Sequence, residues 1–357
     1  MFYAVKKVES HPCFDMQELI YSVFYSATQN KPFGKGVFPK QFTSPNRIWG
    51  YLKGVRDDFE TLYKLLLRKS VTERKQIYSQ LVNNNMIEFL CDDSTIDPEG
   101  FINWGSKLGK KIKEVIASCY KKLDLSHFKV PGCKLPPTHR YYRDYISLNK
   151  SVCPFCSINT YKNPLNPRRE DFDHYLPKSE YPMAAANMDN LVPMCNECNQ
   201  DFKGPEDLLY EAGNRVAAFY PFTSLAGVSI IVKSTVNPDP PYIRAWSVEL
   251  LPNDVAESSK VANWMRVFSI ESRLINELVQ HHDEWMQQSM DEMAGKPFKS
   301  EKSFIDHMKS RVKMEALKVK RRSAPGSQLR MEFYKYMSSS ADAIYIRSYM
   351  KQHNATI

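Results

Sequence analysis

No stretch of this sequence approaches the ~20 consecutive apolar residues of a membrane span. Its first fifteen residues, MFYAVKKVESHPCFD, lack the unbroken apolar run of a secretory signal. The expected compartment is therefore the cytoplasm, with no membrane partner. No internal repeat and no low-complexity tract occurs. Histidine is scarce, with 8 in 357 residues, so a histidine set beside an acidic residue stands out. What is present is a folding composition: 43% hydrophobic residues over a length that suggests two or three domains. Lys plus Arg number 49 against 40 Asp plus Glu, a net charge of +9, which favours a polyanionic partner without identifying one.

The N-terminal 125 or so residues carry helical periodicity. Met16, Leu19, Ile20, Val23 and Phe24 fall on one face, with Asp15 and Glu18 at capping-box spacing before them. DDFETLYKLLLRKS, VTERKQIYSQLVNNNMIEFL and SKLGKKIKEVIASCYKKLD continue the pattern, the last with a stripe of Leu108, Ile112, Val115, Ile116 and Cys119. Pro131, Gly132, Pro136 and Pro137 break it, so 126–150 reads as a connector in which HRYYRDY forms a short helix. GVSIIVKSTV and YIRAWSVEL alternate like strands, joined by a turn at NPDPP, and helical spacing resumes from Asn253. The expected organisation is a helical region over 1–150, a central segment over 151–210, and short strands followed by helices over 211–357.

In a reducing compartment eight cysteines need an explanation other than disulfides, and spacing divides them. Cys13, Cys91, Cys119 and Cys133 are isolated and read as small core residues. CPFC at 153–156 and CNEC at 195–198 are two CxxC turns, each of which aims two thiolates at one point. Together Cys153, Cys156, Cys195 and Cys198 complete a tetrahedral Zn²⁺ shell of sulfurs at ~2.3 Å. Such a shell has no open position, so the zinc is structural and chemistry must lie in what it frames.

Between the pairs lie DFDHYLP, a polar connector and the run NLVPM, and NQDFKG follows the last cysteine. Residues 170–175 suit a short strand, NLVPM suits an antiparallel partner, and NECNQDFK suits a helix that Gly204 and Pro205 interrupt. This order of CxxC, DH, Asn, apolar run and CxxCN resembles the HNH, or ββα-metal, nuclease family in its zinc-bound form, over 153–207. The fold class expected is then α+β and predominantly helical, with a zinc-stabilised ββα-metal core flanked by helical regions.

The resemblance implies a metal-dependent endonuclease acting on nucleic acid, with DNA as the expected substrate. It makes His174 the general base that activates water, and Asp173 and Asn199 the ligands of a catalytic Mg²⁺ or Mn²⁺. Asn190 would tie down the loop that holds the histidine, and Lys203 would contact a phosphate. Many members of the family carry His where this chain has Asn199. A DH pair in an ideal strand points to opposite faces, so both can serve one site only at a strand end or bulge. Two alternatives stay open: a catalytically silent zinc module that binds nucleic acid or protein, and a nuclease subunit activated by a partner protein in a bacterial or phage defence assembly.

Three further patterns compete with blander readings. HRYYRDY interleaves bases and aromatics as a nucleic-acid platform would, but aromatics in a connector more often pack beneath it. His281 and His282 read as surface residues. Residues 291 to 330 hold 11 Lys plus Arg against 5 Asp plus Glu. There Lys302, Lys309, Lys313 and Lys320 share one face of a helix over 300–320, and Phe304, Met308 and Val312 dock another. That face is either solvated or a track for a nucleic-acid backbone through Lys309, Lys313 and Lys320.

Overall fold

The computed structural model describes residues 1–43, 53–98, 105–124, 132–223, 227–236, 244–293, 296–341 and 343–355. The fold is α+β and largely helical, with small two-stranded sheets that pair β1 (Phe172–His174) with β2 (Leu191–Pro193), β3 (Tyr210–Glu211) with β4 (Asn214–Arg215), and β5 (Val228–Val236) with β6 (Arg244–Pro252). Among the described residues no helix is long and apolar enough to cross a membrane. The chain groups into two compact units. One comprises residues 5–149 and 162–223, the other 1–4, 150–161 and 224–357. The segment 151–210 thus contributes to both.

In the first unit the helices are α1 (Asp15–Thr28), α2 (Lys40–Thr43), α3 (Lys53–Leu67), α4 (Val71–Asn83), α5 (Ile87–Asp92), α6 (Ser106–Lys121) and α7 (Pro137–Asn149). The apolar stripes of α1 and α6 named above are buried throughout. The expected capping box at Asp15 is not formed. A 3-10 turn over Pro12–Phe14 delivers the chain already in helical conformation at Phe14, so Asp15 lies inside the first turn and Phe14 takes the N-cap position. A true box forms instead at Ser70 and Glu73, each side chain bonding the other's backbone N–H.

The pattern over 71–92 forms two helices, and at the break between them Asn85 bonds both its own helix and a distant loop. Asn85 donates to Leu81 O and Met183 O, at 2.8 and 3.0 Å, and accepts from Asn187 at 3.0 Å. In the connector, 125–131 lie outside the described residues, but HRYYRDY sits in α7, a helix of 13 residues. Tyr141, Tyr142 and Tyr145 are buried there, so these rings pack the unit and offer no platform for bases.

The second unit pairs two nine-residue strands, β5 (Val228–Val236) and β6 (Arg244–Pro252), in antiparallel register. Val228, Ile230 and Val232 share the buried face with Trp246, Val248 and Leu250. Trp246 meets Phe333 and Tyr336 edge-on at 5.7 and 5.6 Å. The expected turn over NPDPP and the strand residue Tyr242 lie outside the described residues. Helices α8 (Ser258–Phe268), α9 (Ile270–Asp291), α10 (Glu301–Arg321), α11 (Ser327–Ser339) and α12 (Ala343–Ala355) complete the unit. His281 and His282 are half-buried on α9; the ring of His282 lies edge-on to Trp246 at 5.0 Å.

One buried histidine makes stability pH-dependent. His11 caps the turn at Pro12–Phe14, its Nδ1 accepting from Cys13 N–H at 3.2 Å, and its ring meets Tyr141 at 5.4 Å. Burial pushes its pKa down to about 4, with Arg140 adding to the effect and Asp144 opposing it. The folded-state value lies below the ordinary one of about 6.5, so the neutral ring stabilises fully above that value and progressively less as pH falls towards 4. His11→Asn keeps an acceptor for Cys13 N–H and takes up no proton. Denaturation midpoints between about pH 7 and pH 5 should therefore fall more steeply for the unmodified chain than for the variant. Parallel curves contradict this assignment.

Candidate functional site

The two CxxC turns are built differently. At the first, Val152 and Thr160 bridge antiparallel, Cys153 N–H donates to Asn159 O at 2.9 Å, and Ser157 N–H donates to Cys153 O at 2.9 Å. Ser157 adopts the left-handed region, φ 57, so the chain reverses directly after Cys156. Packing against α8 holds this knuckle: Trp264 Nε1–H donates to Phe155 O at 3.2 Å, and the Phe155 and Phe268 rings lie 5.3 Å apart. At the second, Asn199 N–H donates to Cys195 O at 3.0 Å and opens a helical turn.

The ligand atoms of Cys153, Cys156, Cys195 and Cys198 all lie within 4.8 Å of one another, and all four residues are buried. Zn–S bonds of ~2.3 Å require sulfurs ~3.8 Å apart, so the cluster suits one tetrahedral ion. Four soft donors, with no fifth in the cluster among the described residues, are consistent with a structural Zn²⁺. Cys13, Cys91 and Cys119 are buried elsewhere, and burial pushes the Cys119 thiol up to about 12, which makes it unreactive. Cys133 is only half-buried.

Strand β1 (Phe172–His174) pairs antiparallel with β2 (Leu191–Pro193), Asp173 opposite Val192 and His174 opposite Leu191. A π-helix over Glu197–Lys203 follows. The strand ends at His174, where Asn190 turns the chain aside. Tyr175 N–H donates to its backbone carbonyl at 2.8 Å and Leu176 N–H to its side-chain oxygen at 2.7 Å. Its amide donates to Leu176 O and Ala184 O, at 3.0 and 3.3 Å. Because the strand stops there, Asp173 and His174 escape strict alternation and line the same cleft, of about 670 Å³, together with Asn199, Tyr120, Lys178 and Gln200.

His174 Nε2–H donates to Ala185 O at 3.1 Å, which leaves Nδ1 as the acceptor. The Tyr120 ring stands 4.7 Å away, edge-on. Burial pushes the pKa of His174 down to about 4, reinforced by the charges of Lys178 and Lys203, so the ring is neutral near pH 7. Asn199 donates its amide to Asp171 O at 3.3 Å, and its amide oxygen is the remaining polar atom of that side chain. The Asp171 side chain itself is solvated, with Arg169 at 3.9 Å.

Asp173 is 4% exposed and Lys203 1%. Lys203 Nζ donates to Asp173 Oδ1 at 3.2 Å and to His174 O at 3.0 Å. Asp173 Oδ2 lies 3.1 Å from the same ammonium yet receives no well-aligned hydrogen bond. Burial raises the pKa of Asp173 and Lys203 opposes the rise. Lys203, expected to meet a phosphate, is thus placed beneath the cleft as the counter-ion of Asp173. The spacing of Asn199 and Lys203 signals a shared face but carries no information on depth. Tyr120 and Lys178 had no signal in the sequence, since one comes from α6 and the other from a loop.

On α10, Lys302, Lys309, Lys313 and Lys320 are exposed, while Phe304 and Met308 are buried and Val312 is half-buried.

No family model matches the chain, and no solved structure matches it. Over 72 residues, 20% of the chain, it is 38% identical to protein ea31 of Escherichia phage lambda. The match covers 22% of that protein, so the chain spans about a fifth of the length of this relative.

If the four sulfurs hold a structural ion, the purified protein carries about one zinc per chain. Cys195→Ser should then lose the metal together with the ordered structure around β1, β2 and the π-helix, whereas Asp173→Ala keeps its zinc. Elemental analysis with near-UV circular dichroism reads both. A zinc-free Cys195→Ser protein with unaltered tertiary structure contradicts the assignment.

Proposed function

We propose that this chain is a metal-dependent endonuclease of the HNH type that hydrolyses phosphodiester bonds, with DNA as substrate. Support comes from one juxtaposition: a neutral histidine with one nitrogen locked by a backbone carbonyl stands in a single cleft with a carboxylate and an amide oxygen. A binding module has no use for a base fixed in one tautomer beside two hard oxygen donors.

In this reading Nδ1 of His174 takes a proton from water, whose oxygen forms the new bond to phosphorus. The bond from phosphorus to the 3′ oxygen breaks, the electron pair leaves with that oxygen, and the oxyanion takes a proton from solvent water, giving a 5′-phosphate and a 3′-hydroxyl. Nε2–H stays on Ala185 O and keeps the ring from turning while it gains charge. By the resemblance, Asp173 and Asn199 would hold a hard divalent ion, Mg²⁺ or Mn²⁺, which would supply positive charge to the phosphate and leaving oxygens. Asp173 Oδ2 lies 3.1 Å from Lys203 Nζ and is sealed from water, so the carboxylate would have to part from that ammonium first. Asn190 acts at one remove by fixing the chain after His174.

Incubation with supercoiled plasmid tests this directly. Nicking should need Mg²⁺ or Mn²⁺, stop with EDTA, and drop by about a hundredfold or more in His174→Ala. Near-normal nicking by that variant moves the base elsewhere.

A nuclease also needs affinity that ignores sequence, and the exposed lysines of α10 can supply it by following a backbone. Replacing Lys309, Lys313 and Lys320 by Gln should weaken binding alike on unrelated duplexes, and flatten the slope of log K against log salt by roughly 0.9 per lost contact. An unchanged slope assigns this face to solvent.

A further inference from the structure

We infer that Lys178 is the phosphate ligand of the cleft: presented by a clamped turn beside His174, its ammonium bonds a non-bridging oxygen of the scissile phosphodiester, the contact that the resemblance gives to Lys203. This rests on the reading of the cleft as a nuclease site with His174 as its base. Lys178 makes a charge-assisted hydrogen bond and takes no part in bond making or breaking.

A phosphodiester brings a negative charge, so the cleft that receives it needs a cation that is accessible and not already engaged. Lys203 is neither. It is 1% exposed and its ammonium donates to Asp173 Oδ1 and to His174 O. Arg169 is turned away from the cleft, its guanidinium bonded to Thr138 Oγ1 and to Glu170 O. Lys178 lines the cleft and is exposed, and among the described residues no carboxylate pairs with it. The other residues of the lining are neutral or acidic. Its charge is also felt at the His174 ring, where it is the strongest influence after burial, so the cation stands close to the base.

The backbone around Lys178 is fixed on both sides. Glu180 N–H and Tyr181 N–H both donate to Pro177 O, at 3.1 and 2.8 Å, which closes the turn. Before it, Leu176 is held by Asn190, whose side chain accepts from Leu176 N–H and donates to Leu176 O. After it, the buried Tyr181 donates its hydroxyl to Asp207 Oδ2 at 2.9 Å. The same asparagine therefore ends the strand at His174 and anchors the turn that carries Lys178, so base and cation share one support. A point charge on a flexible stem, mounted on a fixed turn, suits a phosphate whose oxygens shift during displacement.

Two probes on the zinc-loaded full chain test this. The first is binding of a short labelled duplex in EDTA, where no cutting occurs. Lys178→Met should weaken it and flatten the slope of log K against log salt by roughly 0.9, the loss of one phosphate contact. The second is hydrolysis of bis(4-nitrophenyl) phosphate with Mg²⁺, a diester small enough to report on the cleft alone. There kcat/KM should fall about tenfold or more in Lys178→Met and recover in Lys178→Arg. Lys178 is exposed and unpaired, so the melting midpoint of either variant should stay that of the unmodified chain. An unchanged salt slope overturns the inference, and so does a flattened slope with diester hydrolysis unaltered, which would place the contact outside the cleft. Either result leaves the nuclease reading standing as long as the unmodified chain nicks plasmid. An unmodified chain that neither nicks plasmid nor hydrolyses the diester overturns that reading, and the inference with it.

Discussion

Four sulfur atoms brought to within 4.8 Å of one another are the constraint on which the central segment depends. The strands they frame have three residues each, and the helix that follows has seven. Elements this short bury too little apolar surface to order themselves. An ion bound by Cys153, Cys156, Cys195 and Cys198 closes the chain over the stretch that carries the DH pair, and its binding free energy becomes folding free energy. The two turns at its ends have their own scaffolds: the knuckle at Cys153–Ser157 with Trp264 and Phe268 against it, and the helical turn opened by Cys195.

Within that frame a second interaction sets the electrostatics of the cleft. Burial disfavours charge on both Asp173 and His174, and the two respond differently because their partners differ. Lys203, 3.1 Å from the carboxylate, opposes the effect of burial there. The histidine has lysines as neighbours and stays neutral, which is the form that accepts a proton. Asn190 and the Asn85–Asn187 contact brace the loop that presents the carbonyl of Ala185 to this ring. The break between α4 and α5 thus has a use, since an unbroken helix would deny Asn85 its partners in that loop.

Much of this was legible in the sequence, and what was not has physical reasons. The apolar stripes of α1 and α6 and the alternation of β5 and β6 reflect periods that any buried face must obey. The cysteine spacing fixed where a metal could sit, because two CxxC turns need only to meet. Local cues did less well where neighbouring chain overrides them. Asp15 had the spacing of a cap but entered an existing turn, and prolines that promised a connector started a helix at Pro137. Depth was harder still. Nothing in NQDFKG tells that Lys203 faces inward, since periodicity separates faces without saying which is covered. Tyr120 reaches His174 from α6, a contact that exists only once the chain has folded.

The order of dependence runs from the sulfurs to the short strands, and from the strands to the cleft in which Asp173, His174 and Asn199 meet. X-ray absorption at the zinc edge of the purified chain tests its first link most directly. A single shell of four sulfurs at about 2.3 Å, with no nitrogen or oxygen neighbour, is the predicted result. A shell containing nitrogen or oxygen, or fewer than four sulfurs, would contradict it, because the cysteine pairs would then not close on one ion.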